Sequence, residues 1–200
     1  MAAGAYADPL RAALIAHKER GIAAVRSTLS LHLATATGPL LPWPAVARRG
    51  DAVLLVPVPS RPTATLRRGE DPLRLLVTGA RDLLRDAVPT ASIEVAPLLR
   101  LRGAGAGVRD QAGRGRAARA RNLAGALAVR PTVLDRVRRR HGHAHVLLLD
   151  DVVTTGATLR EADRALRAVG LRPAGAAVVA AAQFHTTSSA GTLPPPRATH

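Results

Sequence analysis

An α/β fold, with helices flanking a mostly parallel, twisted sheet, is predicted from three observations. Two continuous apolar runs, Ala52–Val58 and Val146–Leu149, read as strands buried on both faces. Each gives way to a segment with helix-start punctuation, so strand and helix alternate along the chain. The 200 residues, 47% of them hydrophobic, are enough for one sizeable core. A single domain over residues 1–185 is expected, with a helical N-terminal part over 1–50.

In chain order, the opening MAAGAYADPLRAALIAHKERG reads as an amphipathic helix, because Asp8, Arg11, His17 and Lys18 interrupt its apolar residues. Residues 8–35 are predicted helical in two pieces broken near Gly21, with Leu10, Leu14, Ile15, Ile22 and Val25 on one face. Gly38–Gly50 holds three prolines and two glycines and must be loop. Trp43 within it reads as a core plug rather than a ligand platform. After the Ala52–Val58 strand, Asp71-Pro72 supplies the N-cap and first position of a helix to about Asp86. A strand is predicted over Ser92–Leu101. Arg102–Arg121, rich in Gly, Ala and Arg, lacks an apolar stripe and reads as a mobile loop running into the start of a helix. The Val146–Leu149 strand leads to a helix over Thr158–Val169 closed by Gly170, then a last strand over Pro173–Ala182. The polar, Pro-rich tail 186–200 is expected to be disordered.

The formal net charge is +15, and all of the basic residues but Lys18 are arginine. Guanidinium forks suit phosphates, so a phosphorylated metabolite or a nucleic acid is an expected partner. Solvated surface arginine is the competing reading for any one of them. The absence of cysteine excludes disulfides, thiolate metal sites and cysteine nucleophiles within these residues. No uncharged apolar run is long enough for a membrane span or signal peptide, so a cytoplasmic location is expected.

The chemistry concentrates in VLLLDDVVTTGATL, Val146–Leu159. A buried strand delivers Asp150 and Asp151 at its carboxyl end, where ligands of open α/β sheets bind. Adjacent carboxyls there are costly unless they meet hydroxyls, a metal or solvent, and a ribose cis-diol fits a pair of acceptors. Thr154, Thr155, Gly156, Ala157 and Thr158 follow at a helix start, where successive N–H groups and the helix dipole favour a phosphate. The two halves together describe a ribose 5-phosphate. The alternative is a plain helix start with Thr158 as N-cap. His141, His143 and His145 alternate before the strand, and a solvated strand entrance is favoured there over metal binding. No histidine is well placed as a catalytic base.

This segment resembles the phosphoribosyl-pyrophosphate (PRPP) signature of type I phosphoribosyltransferases. The resemblance implies that Asp150 and Asp151 are the catalytic residues and hold the ribose hydroxyls, and that Thr154–Thr158 wrap the 5-phosphate. Further segments resemble the ComF-type competence family. Its VPVP strand end matches LLVPVPSRPTATLRRGEDPLRLL, and its Arg-x-x-Asn-x-x-Gly-Ala pattern matches Arg119, Asn122, Gly125 and Ala126 after Gln111. Tyr6, Pro9, Leu10, Arg11, Lys18 and Gly21 match its opening. The chain departs from the family at Arg68-Gly69-Glu70-Asp71-Pro72, where relatives have an aromatic residue and Asn, and it lacks their cysteine-rich zinc module.

A type I phosphoribosyltransferase-like fold is thus implied, with pyrophosphate at Ser60, Arg61 and Arg68 and with Arg67 close by. A lid over Arg102–Arg121 would carry Arg109, Gln111 and Arg119. Mg²⁺ is implied because PRPP presents it, with Asp150 and Asp151 as further ligands. The implied activity is transfer of phosphoribose to an unidentified nitrogenous acceptor with release of pyrophosphate, a glycosyltransferase step in nucleotide metabolism. Phe184 is the residue that could stack on the acceptor base, with ordinary packing as its other reading. The competing function is a non-catalytic competence factor that binds PRPP, single-stranded DNA or both, in a homo-oligomer or with competence-machinery partners. Too few aromatic residues are present for base stacking, so DNA contact would be backbone-directed.

Overall fold

The computed structural model describes residues 1–42, 51–59, 71–102 and 125–182. Strands β1 (Ala2–Ala5), β2 (Ala52–Pro57), β3 (Ser92–Val95), β6 (Ala144–Val153) and β7 (Pro173–Ala181) form a five-stranded sheet. Their order is β1-β7-β6-β2-β3, and every pairing is parallel. A separate antiparallel ribbon joins β4 (Leu99–Leu101) to β5 (Leu127–Val129). The helices are α1 (Leu10–Arg20), α2 (Arg26–Thr37), α3 (Pro72–Ala87), α4 (Pro131–Arg140) and α5 (Ala157–Arg167).

The sheet separates two apolar layers. Val53, Leu55, Leu147 and Leu149 point to one, with Leu29 and Leu33 of α2 and Leu73 and Leu76 of α3. Leu54, Val56, Val146 and Leu148 point to the other, with Leu134 and Val137 of α4 and Ala162 and Leu166 of α5. Side chains alternate along a strand, so a sheet covered on both faces needs an apolar residue at every position. Leucines buried this completely contribute about 1.5–3 kcal/mol each. On the first face, α2 and α3 approach so closely that a Cβ on Gly79 would lie 2.5 Å from Ser30 Oγ. Glycine is what permits that contact.

Local signals hold at several ends. Gly21 caps α1 with φ of 66°, close to the expected break. Asp71 accepts the Arg74 N–H at 3.2 Å ahead of Pro72 in the first position of α3.

Other expectations are corrected. Ala2–Ala5 is strand, not helix: its backbone pairs with the edge of β7, and tertiary pairing overrides the helical preference of alanine. The single strand expected over Ser92–Leu101 is two, β3 and β4, in different sheets. Pro97 between them has no N–H to give to a ladder, and the Leu98 N–H turns back to Ala96 O at 2.7 Å. β5 and α4 were not anticipated. The last helix begins at Ala157 with Gly156 as N-cap, so Thr158 is inside it. It ends at Arg167, and Gly170 with φ of 82° turns the chain beyond it. Trp43, most of the Arg102–Arg121 loop and the tail 186–200 lie outside the described residues. No described helix is long and apolar enough to cross a membrane.

Candidate functional site

The chain leaves β2 for β3 on one side of the sheet and leaves β6 for β7 on the other. α3, after β2, packs in the first apolar layer, and α5, after β6, packs in the second. β2 and β6 therefore flank a topological switch point, where diverging connections open a crevice at the carboxyl ends of the strands. β6 outruns its neighbour there. Its last pair with β2 is Leu149 opposite Pro57, whereas Val152 and Val153 pair with β7.

A cavity of about 490 Å³ opens at this point. Its wall includes Pro59 after β2, Asp151 of β6, His17 and Lys18 of α1, Arg74 of α3, Arg100 of β4 and Arg130 after β5. Four cations and one member of the carboxyl pair thus line the same cavity. The volume suits a small polar ligand.

Asp150 is 7% exposed, and its Oδ1 accepts the Asp151 N–H at 2.9 Å. Burial, then the neighbouring Asp151 charge, pushes its carboxyl up to about 8, against the opposing pull of the Asp151 N–H and of Lys18. Burial and the adjacent charge thus favour the protonated form of Asp150. A side-chain hydrogen bond with Asp151 favours that proton as well. Asp151 Oδ2 accepts from Lys18 Nζ at 2.6 Å, and its Oδ1 accepts the Val152 N–H at 2.8 Å. Burial alone would lower the Lys18 ammonium, but the charge and hydrogen bond of Asp151 outweigh it and hold Lys18 above its ordinary value.

Beyond the pair, Thr154 is exposed, and Thr155 Oγ1 accepts the Ala157 N–H at 3.3 Å. Gly156 adopts φ of 71° at the head of α5, a conformation that L side chains avoid. It brings no capping side chain, which leaves first-turn N–H groups to an outside acceptor. Arg160 Nη1 lies 3.2 Å from where a Gly156 Cβ would stand, so a guanidinium borders this turn.

Of the residues expected at the site, Asp150, Asp151, Thr154, Thr155, Gly156, Ala157 and Thr158 are brought to the crevice end of β6 and the head of α5. Asp151 lines the cavity; the threonine turn is not part of that wall. Ser60, Arg61, Arg67, Arg68, Arg109, Gln111, Arg119, Asn122 and Phe184 lie outside the described residues. Sequence reasoning missed Arg74, Arg100, Arg130 and Arg160, and it set aside every histidine, although His17 is in the wall. His17 Nε2 is 3.0 Å from Pro72 O, while its buried Nδ1 has no hydrogen-bond partner among the described residues. Arginines are so frequent in this chain that only their convergence in space could single these out.

Fold and crevice define the class: an α/β protein with a cation-lined cavity at a sheet switch point. No protein-family model matches the chain, and no curated protein matches it. Among solved structures, one from an analysis of an invariant aspartic acid in HPRTs, an asparagine mutant, is similar at 14% identity with a TM-score of 0.38. The alignment covers 77% of this chain and 64% of the other, so the chain spans less than two thirds of that neighbour's length. A likeness this distant assigns neither a family nor a ligand.

Proposed function

We propose that this chain binds PRPP in the crevice between β2 and β6 and transfers its phosphoribose to a nitrogenous acceptor. The observation that carries the reading is the course of β6: it ends at the switch point in a carboxyl pair beside a cation-walled cavity, then turns through Gly156 into the head of α5. A pair holding one proton can both accept and donate, which matches a ribose diol. The Thr154–Thr158 turn, with Arg160 beside it, takes the 5-phosphate. Lys18, Arg74, Arg100 and Arg130 supply positive charge for the pyrophosphate.

In the reaction the acceptor nitrogen forms a bond to ribose C1 as the C1–oxygen bond breaks, and pyrophosphate departs with the electron pair. The cations stabilise the charge that grows on that leaving group. Mg²⁺ fits as a companion of PRPP rather than as an ion held by the protein alone. Asp151 Oδ2 is engaged by Lys18, so the pair alone offers fewer free oxygens than octahedral Mg²⁺ takes. The sequence resemblance supports a ComF-type branch, with a cytoplasmic location as part of the same proposal.

A second reading is a non-catalytic competence factor that binds PRPP, single-stranded DNA or both. The exposed Arg138, Arg139 and Arg140 in the last turn of α4 and the charge of +15 favour it. Titration with PRPP and Mg²⁺, followed by assay of pyrophosphate release across a panel of bases, tests both. Release with one base supports transfer, and binding without release supports the second reading. Asp151→Asn is expected to abolish PRPP binding; unchanged affinity in that variant would refute the site.

A further inference from the structure

We propose a transition-metal site at the opposite, amino-terminal edge of the sheet, formed by Asp51, His143 and His145. Asp51 immediately precedes β2, and His143 and His145 stand at the start of β6. Register brings them together: Ala52 is opposite Ala144 and Val53 opposite His145, and the Ala52 N–H donates to His143 O at 3.4 Å. Alternation then puts 51, 143 and 145 on the face shared by Val53, Leu55, Leu147 and Leu149. Pairing and pleat together gather three side chains that lie far apart in the chain.

The spacing of the three side chains suits a shared ion. One ligand atom from each residue lies within 4.8 Å of the others. Asp51 Oδ2 is 3.7 Å from His145 Nε2, and Asp51 Oδ1 is 3.8 Å from His143 Nδ1. Both separations are too long for hydrogen bonds. Ligands bonded to one ion at about 2.0–2.2 Å are held roughly 3–4 Å apart, so small side-chain rotations suffice. His145 Nε2 is the second observation: it is buried and has no hydrogen-bond partner among the described residues. A buried imidazole nitrogen facing a carboxylate that it does not bond is an unmet requirement, and an ion between the two meets it.

Two imidazoles and one carboxylate are borderline donors, which suit Zn²⁺, Ni²⁺ or Co²⁺ better than Mg²⁺ or Ca²⁺. His143 is 67% exposed, so an ion can enter from solvent and keep water in its remaining positions. The site is independent of the proposed PRPP crevice. About five strand residues, roughly 16 Å, separate His145 from Asp150 along β6. The bound ion would tie together the entrances of β2 and β6, the two strands that flank the crevice at their other ends.

The test is calorimetric titration of the full chain, stripped with a chelator, with Zn²⁺ alone and Ni²⁺ alone. Expected are one ion per chain, a raised melting temperature, and a visible absorption band when Co²⁺ replaces Zn²⁺. His143→Ala and Asp51→Asn are each expected to weaken binding by more than about tenfold, while His32→Ala leaves it unchanged. His143 is exposed, so its variant keeps the fold, and circular dichroism of the metal-free form checks this. No binding at millimolar metal, or binding that both site variants leave unchanged, overturns the proposal.

Discussion

Lys18 Nζ lies 2.6 Å from Asp151 Oδ2 and joins the first helix to the carboxyl end of the central strand. Asp151 is 13% exposed and Lys18 35%, so solvent screens only part of the interaction. Lys18→Met leaves two adjacent carboxyls without that cation, and Asp150, which Lys18 pulls down, rises further. A wholly buried pair broken on one side costs about 3–5 kcal/mol, and partial exposure of the ammonium reduces this to about 1–2 kcal/mol. Urea denaturation at neutral pH measures it. Combining Lys18→Met with Asp151→Asn is expected to recover part of the loss, because no unpaired charge then remains.

Asp150 makes stability depend on pH in a set direction. Its carboxyl is raised from 3.8 to about 8, so the folded state holds a proton that the unfolded state has released. The associated stability is fully present below about pH 4 and is lost as pH rises toward 8. Asp150→Asn, neutral at every pH, is expected to flatten this decline and to raise the melting temperature at pH 8 relative to the parent. Melting curves from pH 4 to 8.5 check it; parallel curves for the two proteins would exclude a protonated Asp150.

The central strands and the acidic pair could be read from sequence because burial on both faces leaves a mark at every residue. Val146–Leu149 is uniformly apolar, and carboxyls directly after it have to be explained. The antiparallel ribbon could not be read that way. β4 and β5 are three residues each, too short for a pattern, and they find each other across a long intervening segment. Pro97 did warn of a break between β3 and β4, because a central ladder has no place for a residue without an N–H. β1 left no trace, since Ala-Ala-Gly-Ala prefers helix until the open edge of β7 is available. The cavity wall was illegible for a different reason. Lys18, Arg74, Arg100 and Arg130 come from four distant segments, and only the switch point assembles them.

Gly156 is expected to resist substitution even though its surroundings leave room. A Cβ there meets only the far end of Arg160 at 3.2 Å, and that side chain can move aside. Backbone strain is then the main cost, because φ of 71° penalises an L residue by about 1–2 kcal/mol. Gly156→Ala should lose that much stability in chemical denaturation. If the turn holds a phosphate, affinity for PRPP falls more steeply than stability, and Arg160→Ala lowers affinity with little change in melting temperature.

Glu161 connects the head of α5 to the cavity wall through β5. It is 5% exposed, and its Oε1 accepts the Leu127 N–H at 3.1 Å and Arg164 Nη2 at 2.8 Å, while Oε2 accepts Arg164 Nε at 2.7 Å. Burial alone would raise this carboxyl, but the Arg164 hydrogen bond and the N–H donors of Leu127 and Gly125 outweigh it and hold it below 4.5. The stability it provides is therefore present above about pH 4.5 and is lost as pH falls through the lowered value. Glu161→Gln keeps one acceptor for Leu127 but turns an amide toward Arg164. Loss of the charge-assisted pair is expected to cost about 2 kcal/mol at neutral pH. The variant should also show a shallower loss of stability on acidification below pH 4.5. Arg130 follows β5 directly, and its Nε donates to Leu99 O at 3.2 Å, so loosening the ribbon displaces a cation of the cavity wall. PRPP affinity should fall in Glu161→Gln although Glu161 does not line the cavity, and calorimetry on the folded variant separates that effect from lost stability.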